Sequence, residues 1–170
     1  MAAASGTVFH RFLQYLNDKG VREVSADDSG KYKRFWERQL RSHGLPIGKL
    51  NQGLALVNQA FEGLDSEDGR YLLADHGKKE AEKPVTAIID GEAKDLVIDL
   101  TFLKDSERWI VDTKTSSPTD GEPETAFIAR ELERYREKME QYAVAASHLD
   151  GDTVRLALFF PAIGKIAQYG

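Results

Sequence analysis

Hydrophobic residues in the first half of the chain recur at helical spacing. Three such stripes run from Val8 to Leu16, from Phe35 to Leu40 and from Leu50 to Leu64. Gly20 follows the first stripe and Gly44-Leu45-Pro46 follows the second, and both breaks are typical of helix ends. The pattern therefore predicts a first half that is mostly helical.

In the second half, from about residue 85, the hydrophobic period shortens to two, which is the period of a β-strand. The predicted strands are Val85–Ile89, the two arms of a hairpin around Asp105-Ser106, Val154–Phe160 and Lys165–Tyr169. The longest predicted helix runs from Thr125 to about Ser147, between the hairpin and the last two strands. This order predicts one α/β (α+β) domain over residues 1–170, with a mixed central sheet flanked by helices.

The hairpin brings two aspartates together. If Asp105-Ser106 is a two-residue turn, Asp99 lies directly opposite Asp112. Strand side chains alternate between faces, so Lys114 shares the face of these carboxylates, and the other face is apolar. Directly opposed residues have Cβ atoms about 5 Å apart, where like charges repel. A shared Mg²⁺ or Mn²⁺ would remove this repulsion, because both ions favour carboxylate oxygens.

The same segment resembles a known nuclease family. Asp99, followed by Asp112-Thr113-Lys114 after an apolar strand, resembles the D…D-x-K core of the PD-(D/E)xK nucleases. The sequence around both aspartates, with Ile98 before the first and Arg108–Ser116 around the second, is similar to that of the RecB-like nuclease domain. That domain stands at the C-terminus of some UvrD/Rep-type helicases.

Three further segments match the family in order along the chain. Gly6-Thr7-Val8-Phe9-His10 matches its G-x-x-x-H opening, and Glu82 stands where the family often has a glutamate before its first central strand. Leu156–Pro161 resembles the strand that follows the long helix. The resemblance therefore extends from Gly6 to about Pro161, and five ordered elements are far more specific than a single D-x-K.

The long helix carries the one clear departure from the family pattern. Tyr135 and Tyr142 match the helical Y-x-x-Q-x-x-x-Y motif, but Lys138 occupies the glutamine position. By spacing alone, the two tyrosines belong to a core stripe. In the family this helix lies over the site, so a cation at this position either contacts a phosphate, compensates carboxylate charge or weakens the site.

The resemblance implies a restriction-endonuclease-like fold and a divalent-metal-dependent DNA nuclease that hydrolyses phosphodiester bonds. The implied enzyme is a Mg²⁺- or Mn²⁺-dependent deoxyribonuclease, an exonuclease rather than an endonuclease, that acts in DNA repair or recombination. The implied metal ligands are Asp99, Asp112, His10 and the carbonyl oxygen of Thr113, with Glu82 as a further candidate. Lys114 would orient or help deprotonate the attacking water. Tyr135, Lys138 and Tyr142 would support the site or bind substrate.

The resemblance also implies partners. DNA is the expected substrate, and the expected protein partner is the helicase part of a larger parent protein or a helicase subunit. On this interpretation the chain is one domain excised from a helicase-nuclease. The rival hypothesis is a catalytically silent DNA-binding or scaffolding module of such an assembly.

For two of the candidate ligands, His10 and Glu82, the sequence also allows an interpretation without metal contact. His10 lies between Phe9 and Phe12, where a histidine is more often packed in a core, and only the G-x-x-x-H match favours metal contact. Glu82 lies opposite Asp99 if Asp90-Gly91 is a two-residue turn, whereas a longer turn breaks that register.

Composition and net charge restrict the possible cofactors, location and partners of the protein. The absence of cysteine excludes disulfides, cysteine-ligated zinc and an iron–sulfur cluster. No apolar run is as long as a membrane span and no signal peptide is present, so a cytoplasmic protein without a membrane partner is expected. The net charge of −5 argues against a general electrostatic footprint for nucleic acid.

Overall fold

The computed structural model describes every residue from Met1 to Gly170. Five α-helices and one mixed five-stranded sheet give an α+β fold with a mostly helical N-terminal half, which confirms the predicted fold class. The helices are α1 (Ala2–Asp18), α2 (Ser29–Ser42), α3 (Leu50–Gly63), α4 (Glu67–Leu73) and α5 (Glu124–Ala146). The strands are β1 (Gly77–Ile89), β2 (Glu92–Lys104), β3 (Glu107–Thr113), β4 (Thr153–Phe160) and β5 (Lys165–Gln168).

The helix ends follow the chemistry of their flanking residues. Gly20 and Gly44 have φ values of 67° and 75°, which are left-handed conformations that glycine adopts without steric cost. At the start of α4, the Ser66 hydroxyl accepts a hydrogen bond from the Gly69 amide at 3.0 Å. The predicted ends of the first two helices are therefore confirmed to within two residues.

The sheet has the order β1-β2-β3-β4-β5. The β1–β2 and β2–β3 pairs are antiparallel, whereas β3 and β4 are parallel. Parallel neighbours need a long crossover, and α5 supplies it between β3 and β4. The crossover places α5 against β1, β2 and β3.

The predicted hairpin register is confirmed. Asp105 and Ser106 have φ values of 50° and 64°, the pattern of a two-residue type I′ turn. This turn pairs Lys104 with Glu107, Phe102 with Trp109 and Leu100 with Val111. A second two-residue turn at Asp90-Gly91, with φ values of 54° and 80°, joins β1 to β2.

The predicted start of β1 at Val85 is wrong, because the strand begins at Gly77. The additional residues, Gly77–Pro84, include three lysines and two glutamates with exposed or partly exposed side chains. Edge strands are held by backbone hydrogen bonds on one side and need no continuous apolar face. Hydrophobic patterning therefore detected only the apolar end of this strand.

The chain forms two compact units. The first comprises Met1–Ala74, Lys114–Ser116 and Phe160–Lys165, and the second comprises Asp75–Thr113, Ser117–Phe159 and Ile166–Gly170. The first unit holds α1 to α4, and the second holds α5 and most of the sheet. The expectation of one domain over residues 1–170 stays a prediction.

Each unit has its own buried core. In the first unit Phe12 contacts Tyr32, Trp36 and Phe61, with ring centroids 4.8, 5.4 and 5.8 Å away. Such aromatic pairs contribute about 0.5–1.5 kcal/mol each beyond the area they bury. The fully buried side chains of the second unit's core include Ile98, Phe102, Ile110, Val111, Phe127, Met139, Leu158 and Phe159.

The helix α5 is the longest in the structure and is amphipathic. It buries Phe127, Met139 and Tyr142, while charged side chains occupy its exposed face. None of the helices combines the length and the apolar character that crossing a membrane requires.

Candidate functional site

Two aspartates lie side by side on the neighbouring strands β2 and β3, Asp99 in the middle of β2 and Asp112 near the end of β3. The Leu100–Val111 pair fixes the register, so Asp99 and Asp112 are the next residues along the two strands. Asp112 is 0 % exposed, whereas Asp99 is partly exposed. The backbone N–H of Thr113 donates a hydrogen bond to Asp99 Oδ2 over 2.8 Å, which fastens the Asp99 carboxylate to the end of β3.

A lysine from α5 contacts the buried carboxylate. Lys138 Nζ donates to Asp112 Oδ1 at 2.8 Å, and the lysine side chain remains 42 % exposed. A buried carboxylate is stable only when a cation or hydrogen-bond donors accompany it. Burial lowers the pKa of Lys138, but the charge of Asp112 and the hydrogen bond to it outweigh burial, so the pKa lies above its usual value.

Tyr142 completes this cluster from the next turn of α5. Its hydroxyl donates to the Val97 carbonyl oxygen at 2.6 Å, and Lys138 Nζ lies 5.2 Å from its ring centroid. Burial, together with the charges of Asp112 and Asp99, raises the pKa of Tyr142 to about 12 against the opposing effect of Lys138. Tyr142 therefore remains a neutral hydrogen-bond donor near both aspartates.

One buried charged residue of α5, Glu131, was not predicted from the sequence as part of this region. Glu131 is 0 % exposed and lies one helical turn before Tyr135, which is partly exposed. Arg130 Nη1 is 2.6 Å and Arg134 Nη1 is 3.8 Å from Glu131 Oε1. Its spacing could have placed it on the same side of the helix as the other candidates, because Glu131 lies four residues before Tyr135 and seven before Lys138.

Glu82 lies on the edge strand β1 at the level of Asp99. The flanking pairs Ala81–Leu100 and Lys83–Ile98 give the register predicted from the Asp90-Gly91 turn. Glu82 has a left-handed backbone, with φ of 49°, which departs from the regular alternation of a strand. Its role as a metal ligand stays a prediction.

The donor chemistry of the aspartate pair fits a hard divalent ion. Mg²⁺ is commonly held by one or two carboxylates, while water and substrate phosphates complete its coordination. The structure brings together no group of three or more histidine, cysteine, aspartate or glutamate side chains placed to hold a metal ion. Asp99 and Asp112 offer carboxylate oxygens of the kind that such an ion prefers, and Asp112 already contacts a cation, the Lys138 ammonium.

The G-x-x-x-H residues and Lys114 belong to the first unit. In that unit α1 lies against the segment that follows β3, and a Cβ atom on Gly6 would come within 3.0 Å of Thr115 Oγ1. His10 Nδ1 lies 2.7 Å from the Gly6 carbonyl oxygen. A carbonyl oxygen only accepts hydrogen bonds, so Nδ1 carries the proton and Nε2 is the acceptor atom of the neutral ring.

The sequence-predicted residues thus divide between the two units. The second unit brings together Asp99, Asp112, Thr113, Lys138 and Tyr142, while His10 and Lys114 lie in the first. In comparisons with known proteins, no family model and no curated protein matches this chain.

Proposed function

We propose that this chain is a RecB-like, divalent-metal-dependent DNA nuclease that hydrolyses phosphodiester bonds. We further propose that it acts as an exonuclease in DNA repair or recombination, together with a UvrD/Rep-type helicase. The observation that carries the proposal is the pairing of a buried Asp112 with Asp99 at the start of the D-x-K segment. A buried aspartate beside a second carboxylate is costly to a fold, so the presence of Asp112 next to Asp99 favours a functional role.

The proposed chemistry assigns a role to each residue. Asp99 and Asp112 would hold Mg²⁺ or Mn²⁺, with the Thr113 carbonyl oxygen as a further ligand. When bound, such an ion polarises the phosphate and lowers the pKa of water. Lys114 would hold the attacking water and offset the negative charge that develops on the phosphate.

One observation favours the rival hypothesis of a silent DNA-binding module. Lys138 already holds one oxygen of Asp112, so an ion must compete with the ammonium for this carboxylate. A silent module, however, gains nothing from a fully buried aspartate next to Asp99. The nuclease proposal accounts for both carboxylates and is therefore preferred.

The test is cleavage of end-labelled linear single- and double-stranded DNA in Mg²⁺, Mn²⁺ or EDTA. We expect cleavage with either ion and none in EDTA. Asp112→Asn should reduce the rate at least about 100-fold, because loss of metal-dependent charge stabilisation is worth several kcal/mol. The matched control is Asp95→Asn, an exposed aspartate of β2 that hydrogen-bonds Thr86, and it should cleave normally. Metal-independent cleavage would contradict the metal-dependent mechanism, and no cleavage by the unaltered protein would favour the silent module.

A further inference from the structure

We propose that Lys138 is an exchangeable counter-ion of Asp112. A divalent ion that binds Asp112 displaces the Lys138 ammonium, and the released ammonium binds a phosphate of the nucleic acid. Metal and DNA then bind cooperatively, and this side chain adds to the coupling that a direct contact between the ion and a phosphate supplies. The inference rests on the proposed function and adds to it how metal binding and DNA binding depend on each other.

The first step concerns the burial of the carboxylate. Asp112 is 0 % exposed, and Lys138 Nζ contacts its Oδ1 at 2.8 Å. Because an uncompensated charge is very unfavourable at this depth, an ion that takes over this oxygen makes the departure of the ammonium possible. The two cations also repel each other at such a distance, so the exchange is competitive.

The second step concerns the freedom of the lysine. Its side chain is 42 % exposed although its ammonium reaches a buried group, so solvent borders the exit path. The Tyr142 ring, with its centroid 5.2 Å from Nζ, offers a face on which a cation is stabilised. The Tyr142 hydroxyl is fixed on the Val97 carbonyl oxygen, so this ring keeps its place when the lysine moves.

The third step is the thermodynamic consequence. Without DNA, the ammonium competes with the ion and weakens metal binding. A DNA phosphate removes the ammonium from Asp112 and strengthens metal binding, and by linkage the ion strengthens DNA binding by the same factor. Glutamine at this position carries no charge, so it does not compete with the ion, and the part of the coupling that depends on the lysine is lost.

The experiment measures Mn²⁺ affinity by calorimetric titration, with and without a phosphorothioate-linked single-stranded oligonucleotide that resists cleavage. The full chain is compared with Lys138→Gln, Lys138→Arg and Lys94→Gln, the last as a control on a lysine of β2. Without DNA, Lys138→Gln should bind Mn²⁺ at least tenfold more tightly than the unaltered chain. DNA should tighten Mn²⁺ binding by a larger factor for the unaltered chain, Lys138→Arg and Lys94→Gln than for Lys138→Gln, which keeps only the direct contact between the ion and the phosphate.

Thermal unfolding distinguishes a change in metal affinity from a loss of folded protein. Lys138→Gln should unfold at a lower temperature without metal, and Mn²⁺ should raise its unfolding temperature more than that of the unaltered chain. Equal Mn²⁺ affinities and equal DNA effects in the two proteins would overturn the exchange and leave the nuclease proposal standing. If the unaltered chain and Lys138→Gln both fail to bind Mn²⁺, the exchange and the metal-dependent function are both wrong.

Discussion

A fully buried carboxylate needs a cation or hydrogen-bond donors, and at the residue scale Lys138 meets this requirement for Asp112. Breaking a buried ion pair by removing one partner typically costs about 3–5 kcal/mol. The contact between Lys138 and Asp112 joins residues 26 positions apart. Spacing placed both residues on the correct elements, but only the packing of α5 on the sheet brings them into contact.

Substitution of Lys114 is the most direct single-residue test of the proposed catalytic roles. Lys114→Ala should keep the fold and Mn²⁺ binding but lose about 10²–10⁴-fold in cleavage rate, the range typical of a removed acid–base group. The measurement is the initial rate on linear DNA at matched metal and salt. Lys165→Ala, which truncates an exposed lysine of β5, is the matched control. Undiminished cleavage by Lys114→Ala would remove this lysine from the mechanism.

At the element scale, the β2–β3 hairpin was predictable because turn length alone sets its register. The two-residue turn at Asp105-Ser106 fixed every pair up to Leu100–Val111. The parallel pairing of β3 with β4 was not predictable in the same way, because no short turn joins the two strands. Glu131 was missed for a related reason, since its arginine neighbours suggest a solvated helix face.

The hairpin turn gives a prediction on stability. Ser106 has φ of 64°, a conformation that disfavours residues with a Cβ atom, so Ser106→Gly should stabilise the protein by about 0.5–1 kcal/mol. Denaturant unfolding measures the change. The matched control is Ser147→Gly at the end of α5, where φ is −59° and the same substitution should destabilise the protein. A lower stability of Ser106→Gly would contradict the type I′ turn.

The segment before α5 gives a prediction on pH. The hydrogen bonds from Arg130, and then those from Thr119, lower the pKa of Glu122 from 4.5 to about 2. A lowered folded-state pKa means that the stabilisation is present above about pH 4.5 and is lost as the pH falls towards 2. Unfolding temperatures measured from pH 5 to pH 2 should therefore fall less for Glu122→Gln than for the unaltered protein. Parallel curves would show that this carboxylate makes no such bonds in solution.

At the scale of the whole molecule, hydrophobic patterning was sufficient for the fold class. Helical stripes in the first half and period-two segments in the second gave the α+β composition and the order of the elements. The division into two compact units was not predictable, because residues distant in sequence, such as Lys114–Ser116 and Phe160–Lys165, join the N-terminal helices. Local patterns contain no information on such long-range contacts.

The carboxylate pair was predictable for the opposite reason, since a local turn and two alternating strands determine it. Its use as a metal site depends on donor chemistry that patterning alone does not decide. The most direct measurement is anomalous diffraction from a crystal of the protein soaked in Mn²⁺. We predict an anomalous peak in contact with carboxylate oxygens of both Asp99 and Asp112, with Lys138 Nζ moved away from Asp112. A peak that lies away from both aspartates, or no peak at saturating Mn²⁺, would contradict the proposed metal site.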